Sequence, residues 1–94
     1  MKFINTENRI TAYSDEGKAL AWVDFPALDE GVVEVKSTFV DESMRGQGLA
    51  SRLMRELAEY LLQSGKRAVP TCAYAVKWFA EHGEYSALAA KKHD

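Results

Sequence analysis

One cysteine, two histidines and two prolines are all that a chain of 94 residues carries of these types. The lone thiol, Cys72, excludes an intrachain disulfide and a Cys-rich zinc site. His82 and His93 are too few to rebuild such a site. No run approaches the roughly 18 apolar residues of a membrane span. Residues 1–14 are polar and mixed and lack the apolar middle of a signal peptide, so the expected compartment is the reducing cytoplasm. Neither charge sign dominates, with 14 acidic and 12 basic side chains and a net charge of −2. That balance argues against a strongly basic surface and against sequence-independent nucleic-acid binding. Repeats, low-complexity tracts and linkers are also missing, which predicts one domain over residues 1–94.

What is present suits a packed core. Apolar residues make up 47% and aromatics 11%, which excludes disorder at this small net charge. A domain of this size buries roughly 65% of the surface of its unfolded chain.

The hydrophobic period changes once, near residue 43, from two to helical. Residues 9–14 and 19–25 read as strands joined by the turn Asp15-Glu16-Gly17-Lys18. Alternation puts Ala19, Ala21, Val23 and Phe25 on one face, and Pro26 stops the strand. Residues 32–40 read as a third strand, with Val33, Val35, Ser37 and Phe39 on one face. Residues 2–5 read as a further short strand. The first half is therefore an antiparallel meander. In the second half, Leu49, Leu53, Leu57 and Leu61 recur every four residues and predict a helix over 48–64, ended by Gly65. Residues 66–69 read as a buried strand closed by Pro70, and residues 73–82 as a second helix. Residues 84–90 fit either a strand or a helical turn.

The segment Arg45-Gly46-Gln47-Gly48-Leu49-Ala50 carries the chemistry. A strand enters a turn with two glycines and leaves it as a helix. First-turn N–H groups have no partner within the helix, and the dipole adds positive charge there. Glycine permits close approach and left-handed backbone. The combination suits a diphosphate, and Arg45 adds a cationic side chain. A Walker loop is excluded by the missing Gly-Lys-Ser/Thr, and a Rossmann fingerprint by the missing third glycine. An ordinary glycine-rich turn before a helix is the plain alternative.

The same six residues resemble the Arg/Gln-x-x-Gly-x-Gly/Ala acetyl-CoA signature of the GNAT N-acetyltransferases. Arg45, Gly48 and Ala50 fill its defining positions. The chain also resembles a short GNAT-like subfamily through Pro70-Thr71-Cys72 and through Trp78-Phe79-Ala80-Glu81-His82-Gly83-Glu84-Tyr85. This resemblance spans residues 8–88. It implies an α+β fold of the three-layer type, a meander followed by a β-α-β-α unit, without the early helices of larger members. Acetyl-CoA, or coenzyme A, is the implied cofactor. Residues 45–50, including Gly46, Gln47 and Leu49, are implied to hold its diphosphate through their N–H groups. Unpaired main-chain groups around Thr38, Phe39 and Val40 are implied to pair with the pantetheine arm.

The chain departs from larger members in two places. Phe79 fills the slot of a tyrosine that serves as general acid, and phenylalanine has no proton to give. Cys72 fills the slot of an asparagine that contacts pantetheine. Cys72 reads either as a nucleophile that forms an acetyl-cysteine or as a small buried hydrophobe. Tyr85 reads as a substitute acid and His82 as an amine-positioning or basic group, with a polar helix cap as the alternative for His82. Arg52 and Lys77 read as solvated surface or as contacts to a 3′-phosphate.

Three functional readings follow. The first is an acetyl-CoA-dependent N-acetyltransferase acting on an amine, with a side chain or terminus of another protein as a fitting acceptor because no early helices cover the acceptor side. The second is a CoA-binding module without turnover. The third is an interaction domain. No metal, nucleic acid or membrane is expected as a partner.

Overall fold

A computed structural model describes residues 1–90 of the protein; His93 lies outside them. Four strands form one sheet in the order β1 (Lys2–Thr6), β2 (Arg9–Tyr13), β3 (Ala19–Asp24), β6 (Ser37–Val40). Three form a second in the order β4 (Ala27–Asp29), β5 (Val32–Val35), β7 (Arg67–Pro70). All neighbours are antiparallel except β5 and β7, which are parallel. Helix α1 (Leu49–Ser64) makes the crossover between that parallel pair, and α2 (Ala73–Glu81) follows β7. Helical turns over Gly83–Leu88 end the described chain, which resolves the choice over 84–90 in favour of turns. A single bridge ties Ala89 to Ala68.

The meander and the two helices fall where periodicity places them. Helix α1 ends on Gly65, whose left-handed φ of 69° lets its N–H return to the last turn. Its buried stripe, Leu53, Met54, Leu57, Ala58 and Leu61, packs on Ile10, Ala12, Ala21 and Val23 of β2 and β3. Each fully buried leucine of that stripe contributes roughly 1.5–3 kcal/mol of transfer free energy.

Three details differ from the strand pattern, each for a local reason. The stretch 32–40 is two strands, not one. Lys36 N–H donates to the Asp24 carbonyl at 3.0 Å, while Asp24 is already the register partner of Ser37. Two residues face one, a β-bulge that bends the chain and reverses its alternation. Beyond it, Phe39 and Ser37 turn outward and Thr38 and Val40 turn inward. The expected common face for Val33, Val35, Ser37 and Phe39 therefore breaks at Lys36. Leu20 is also buried, although alternation points it outward. It is the extra residue between the pairs Ala12↔Ala21 and Tyr13↔Ala19. Finally, Pro26 stops β3 as expected, but its carbonyl accepts from Glu34 and a further short strand, β4, follows at once in the second sheet.

The bulge also opens the molecule. Pairing between β5 and β7 ends at Val35↔Pro70. The Val35 carbonyl accepts both Thr71 N–H (3.0 Å) and Cys72 N–H (3.2 Å). Past that point β6 stays with β3 and the chain after β7 turns into α2. A wedge-shaped gap is left between β6 and α2.

Candidate active site

Among the described residues, the wall of the gap formed by β6 has main-chain groups without a protein partner. Asp41 N–H donates to the Leu20 carbonyl at 2.7 Å. Alternation along an antiparallel ladder then turns residues 37, 39 and 41 toward β3 and Thr38 and Val40 toward the gap. Phe39 gives its main chain to β3 and stacks its ring on Trp22, centroids 4.3 Å apart.

At the narrow end of the gap lies Cys72, half-buried as the N-cap of α2. Its sulfur accepts from Ala75 N–H at 3.4 Å and stands 3.6 Å from Thr38 Oγ1. On the outer face beside it, Thr71 donates its hydroxyl to Glu34 Oε2 at 2.6 Å. Glu34 points away from the buried Val33 and Val35 of the same strand. The pairing of Thr71 with Glu34 is not visible in the sequence, since 37 residues separate them.

At the wide end, the glycine loop leads into α1. Asp41 caps the short 3-10 turn Glu42–Met44 by accepting from Ser43. Those hydrogen bonds hold its carboxyl below the usual carboxylate range. Arg45 N–H closes that turn on the Glu42 carbonyl at 3.3 Å, so only its side chain is left for a ligand. After it the donors are free. Among the described residues, the N–H groups of residues 46–51 meet no protein acceptor, and Arg52 N–H is the first to reach a carbonyl, that of Gly48 at 3.1 Å. Gly46 and Gly48 are left-handed, with φ of 80° and 74°, and Gly48 is an N-cap without a side chain to occupy those donors. Left-handed residues within such a turn gather successive N–H groups into an anion-binding concavity. A Cβ at either glycine would meet nothing within 4 Å, so the space in front of the loop is open. That space is a cavity of about 270 Å³ lined by residues of the loop, Val40, Ser51 and Tyr74. The residues present therefore fit a diphosphate at the loop and an extended arm along β6.

The structure brings Thr38, Val40, Cys72 and the loop to one gap. It does not bring Tyr85 and His82 to it. The Tyr85 hydroxyl donates to Glu59 at 2.9 Å and accepts from Arg55 at 3.3 Å. Glu59 lies eleven residues past Gly48, which is roughly 16 Å along a helix. Burial first, then the Glu59 carboxylate, pushes the Tyr85 phenol above its usual range. The His82 ring stacks on Trp78 and its Nδ1 lies 2.7 Å from the Trp78 carbonyl, the geometry of a helix cap. Arg52 turns its guanidinium over the Phe3 ring, 5.0 Å from its centroid. Two further residues line the site, Ser51 and Tyr74. Burial pushes the Tyr74 phenol up, with the neighbouring Ser51 hydroxyl opposing. Among the described residues, no group of three His, Cys, Asp or Glu side chains is placed to hold a metal ion, and no helix is long and apolar enough to cross a membrane.

Comparison with known proteins agrees with this geometry. A family model described as GCN5-related N-acetyl-transferase matches residues 9–88. No curated protein matches the chain. Among solved structures, a GCN5-like protein from Staphylococcus aureus superposes with a TM-score of 0.78 at 20% identity, covering 98% of this chain and 90% of that one. A GNAT family N-acetyltransferase (YhbS) from Escherichia coli, crystallised with CoA, is 28% identical with a TM-score of 0.64, over 82% of this chain and 43% of that one. The ribosomal-protein-S18-alanine N-acetyltransferase from Escherichia coli shares the fold at 19% identity, TM-score 0.67, over 84% of this chain and 54% of that one. The chain thus spans about half the length of these two larger enzymes. On the family match, the chain belongs to the GCN5-related N-acetyltransferases, a family that uses acetyl-CoA.

Proposed function

We propose that the protein is an acetyl-CoA-dependent N-acetyltransferase acting on a primary amine and passing the acetyl group through Cys72. The observation that carries this reading is the arrangement of the gap. Free N–H donors stand at its wide end, free main-chain groups of Thr38 and Val40 along one wall, and a thiol at its apex.

When bound, acetyl-CoA supplies an activated acetyl group. The donors of residues 46–51 and the Arg45 side chain compensate the diphosphate charge. Thr38 and Val40 hold the arm as an added strand would be held. Ala75 N–H and Thr38 fix the Cys72 sulfur toward the gap. That sulfur attacks the acetyl carbonyl; its S–H proton leaves with the CoA thiol as the C–S bond to CoA breaks. The acceptor amine then attacks the acetyl group on Cys72. Glu34, oriented by Thr71, takes the proton the amine gives up and returns it to the departing Cys72 sulfur as the S–acetyl bond breaks, which restores both the thiol and the carboxylate. Glu34 faces outward, on the side where no helix covers the sheet, so an amine carried on another protein has access.

A second reading, a CoA-binding module without turnover, is favoured by Phe79 and by the engagement of Tyr85 with Glu59. Incubation with acetyl-CoA and intact-protein mass spectrometry separates the two. The first reading expects a mass gain of one acetyl group on Cys72, discharged by an added amine. CoA binding with neither adduct nor amide product establishes the second.

A further inference from the structure

We propose that the aromatic column formed by Trp78, His82 and Tyr85 is a positioning device for the cofactor loop, in which the Trp78 indole N–H fixes the Ser51 hydroxyl so that its proton points into the cavity at the head of α1. This inference rests on the CoA reading above and assigns a purpose to the Trp78–Tyr85 motif, which that reading leaves idle.

A serine inside a helix normally turns its proton back onto the carbonyl four residues earlier. Ser64 does so at the far end of α1, donating to the Tyr60 carbonyl at 2.8 Å. Ser51 does not. Its Oγ instead accepts from Trp78 Nε1 at 2.8 Å. Among the described residues, no carbonyl takes the Ser51 proton; it faces the Tyr74 phenol oxygen, which lines the same cavity. A hydroxyl that accepts from an indole keeps one proton to donate. Ser51 lies in the first turn of α1 and lines the cavity beside the free N–H groups. It therefore adds a side-chain donor to a row of main-chain donors.

The indole is held so that this bond persists. Trp78 is 3% exposed, and a buried indole N–H needs a partner. The His82 ring stacks on it at 3.9 Å and 13°, with Nδ1 hydrogen-bonded to the Trp78 carbonyl. Tyr85 stacks at 5.6 Å and 22°, and its hydroxyl is anchored on Glu59. With the indole free to swing, Ser51 would return its proton to the helix. Helix α2 thus reaches the loop through one hydrogen bond between side chains 27 residues apart.

The test is calorimetric titration of CoA into the full chain and its variants. Trp78→Phe keeps an aromatic ring and deletes the N–H; Ser51→Ala deletes the hydroxyl. Each is expected to weaken CoA binding about fivefold, the scale of one hydrogen bond. The double variant is expected to bind no more weakly than Trp78→Phe alone, because both changes remove one linked contact. Losses that add, or full affinity in Ser51→Ala, overturn the positioning role while leaving the cofactor reading intact. Should Trp78→Phe fail to fold, Ser51→Ala alone decides. A wild-type chain that binds no CoA overturns the cofactor reading, and this inference with it.

Discussion

The Thr38 hydroxyl and the Cys72 sulfur face one another at 3.6 Å across the gap, one on β6 and the other at the start of α2. The sulfur has a structural duty as well, since it accepts from Ala75 N–H as the helix cap. The two duties separate by substitution. Serine caps helices at least as well as cysteine, so Cys72→Ser keeps stability. Cys72→Ala loses about 0.5–1 kcal/mol, the low end of an N-cap loss. Both variants are expected to lose the acetyl adduct and amine transfer. Thermal melting beside intact mass spectrometry checks this, and full transfer by Cys72→Ala removes the covalent route.

Gly48 holds a φ of 74° with open space where a Cβ would stand. Gly17 holds a φ of 87° in the β2–β3 turn, also with open space, and does not line the cavity. Alanine at either costs about 1–2 kcal/mol through the left-handed backbone alone. Only Gly48→Ala puts a methyl group in front of the free N–H row. It is expected to weaken CoA binding at least ~10-fold, whereas Gly17→Ala changes melting temperature and leaves CoA affinity as it was. Equal affinities in the two variants would count against the loop as the diphosphate site.

The loop was legible in the sequence because the signal is local. Two glycines two residues apart before a leucine repeat state their backbone needs directly. The helices were legible for the same reason. The free edge of β6 was implied only by the family resemblance; the facing of its residues was not legible, because it depends on the bulge at Lys36, where two residues share Asp24 across the sheet. Strict alternation carried Phe39 inward, and the bulge carried it out. Glu34 with Thr71 and Ser51 with Trp78 were invisible for a different reason. Each pair is made by the β5–α1–β7 crossover and the return of α2; Thr71 and Trp78 stand in short motifs, but their partners Glu34 and Ser51 do not. Tyr85 and His82 show the converse. Their motif is local, but the direction of each side chain is settled by Glu59 and by the Trp78 carbonyl.

Glu34 accepts at 2.6 Å from the hydroxyl of Thr71, the residue before Cys72. Glu34→Gln keeps an acceptor for the Thr71 hydroxyl and removes the base. Amine transfer is expected to fall ~10²-fold or more, the range of a lost general base. Acetylation of Cys72 precedes that proton transfer, so the adduct should accumulate in Glu34→Gln. A variant that forms the adduct and discharges it at the wild-type rate would show that Glu34 takes no proton.

Asp24 accepts from Arg9 at 2.6 Å and from Ser37 at 2.9 Å. Burial pushes its carboxyl up, but the hydrogen bonds from Arg9 and Ser37 outweigh it and hold the group below its ordinary value. Its folded form therefore favours the carboxylate. The stability this contributes is full above the unfolded value near 4 and is lost as pH falls through the lower folded value. The pair is partly exposed, so the amount is up to about 1 kcal/mol. Denaturant titrations from pH 6 downward are expected to show that loss in the wild type and a shallower slope in Asp24→Asn.

Tyr85 gives the opposite sign at the alkaline end. The residue is 5% exposed and its hydroxyl donates to Glu59; burial and that carboxylate raise the phenol above its usual value of 10.0. The folded chain keeps the proton longer than the unfolded chain does. The corresponding stability is complete below the unfolded value and disappears as pH rises through the folded one. Tyr85→Phe keeps the ring against Trp78 and loses the bonds to Glu59 and Arg55. It is expected to cost about 1 kcal/mol near neutral pH, the net value of a buried hydrogen bond. The cost should shrink above pH ~10, where the wild type forfeits the same contribution. Denaturant melts of both chains at neutral pH and above 10 measure the difference. A gap between them that widens with pH would mean that the phenolate, not the phenol, is the form that the fold favours.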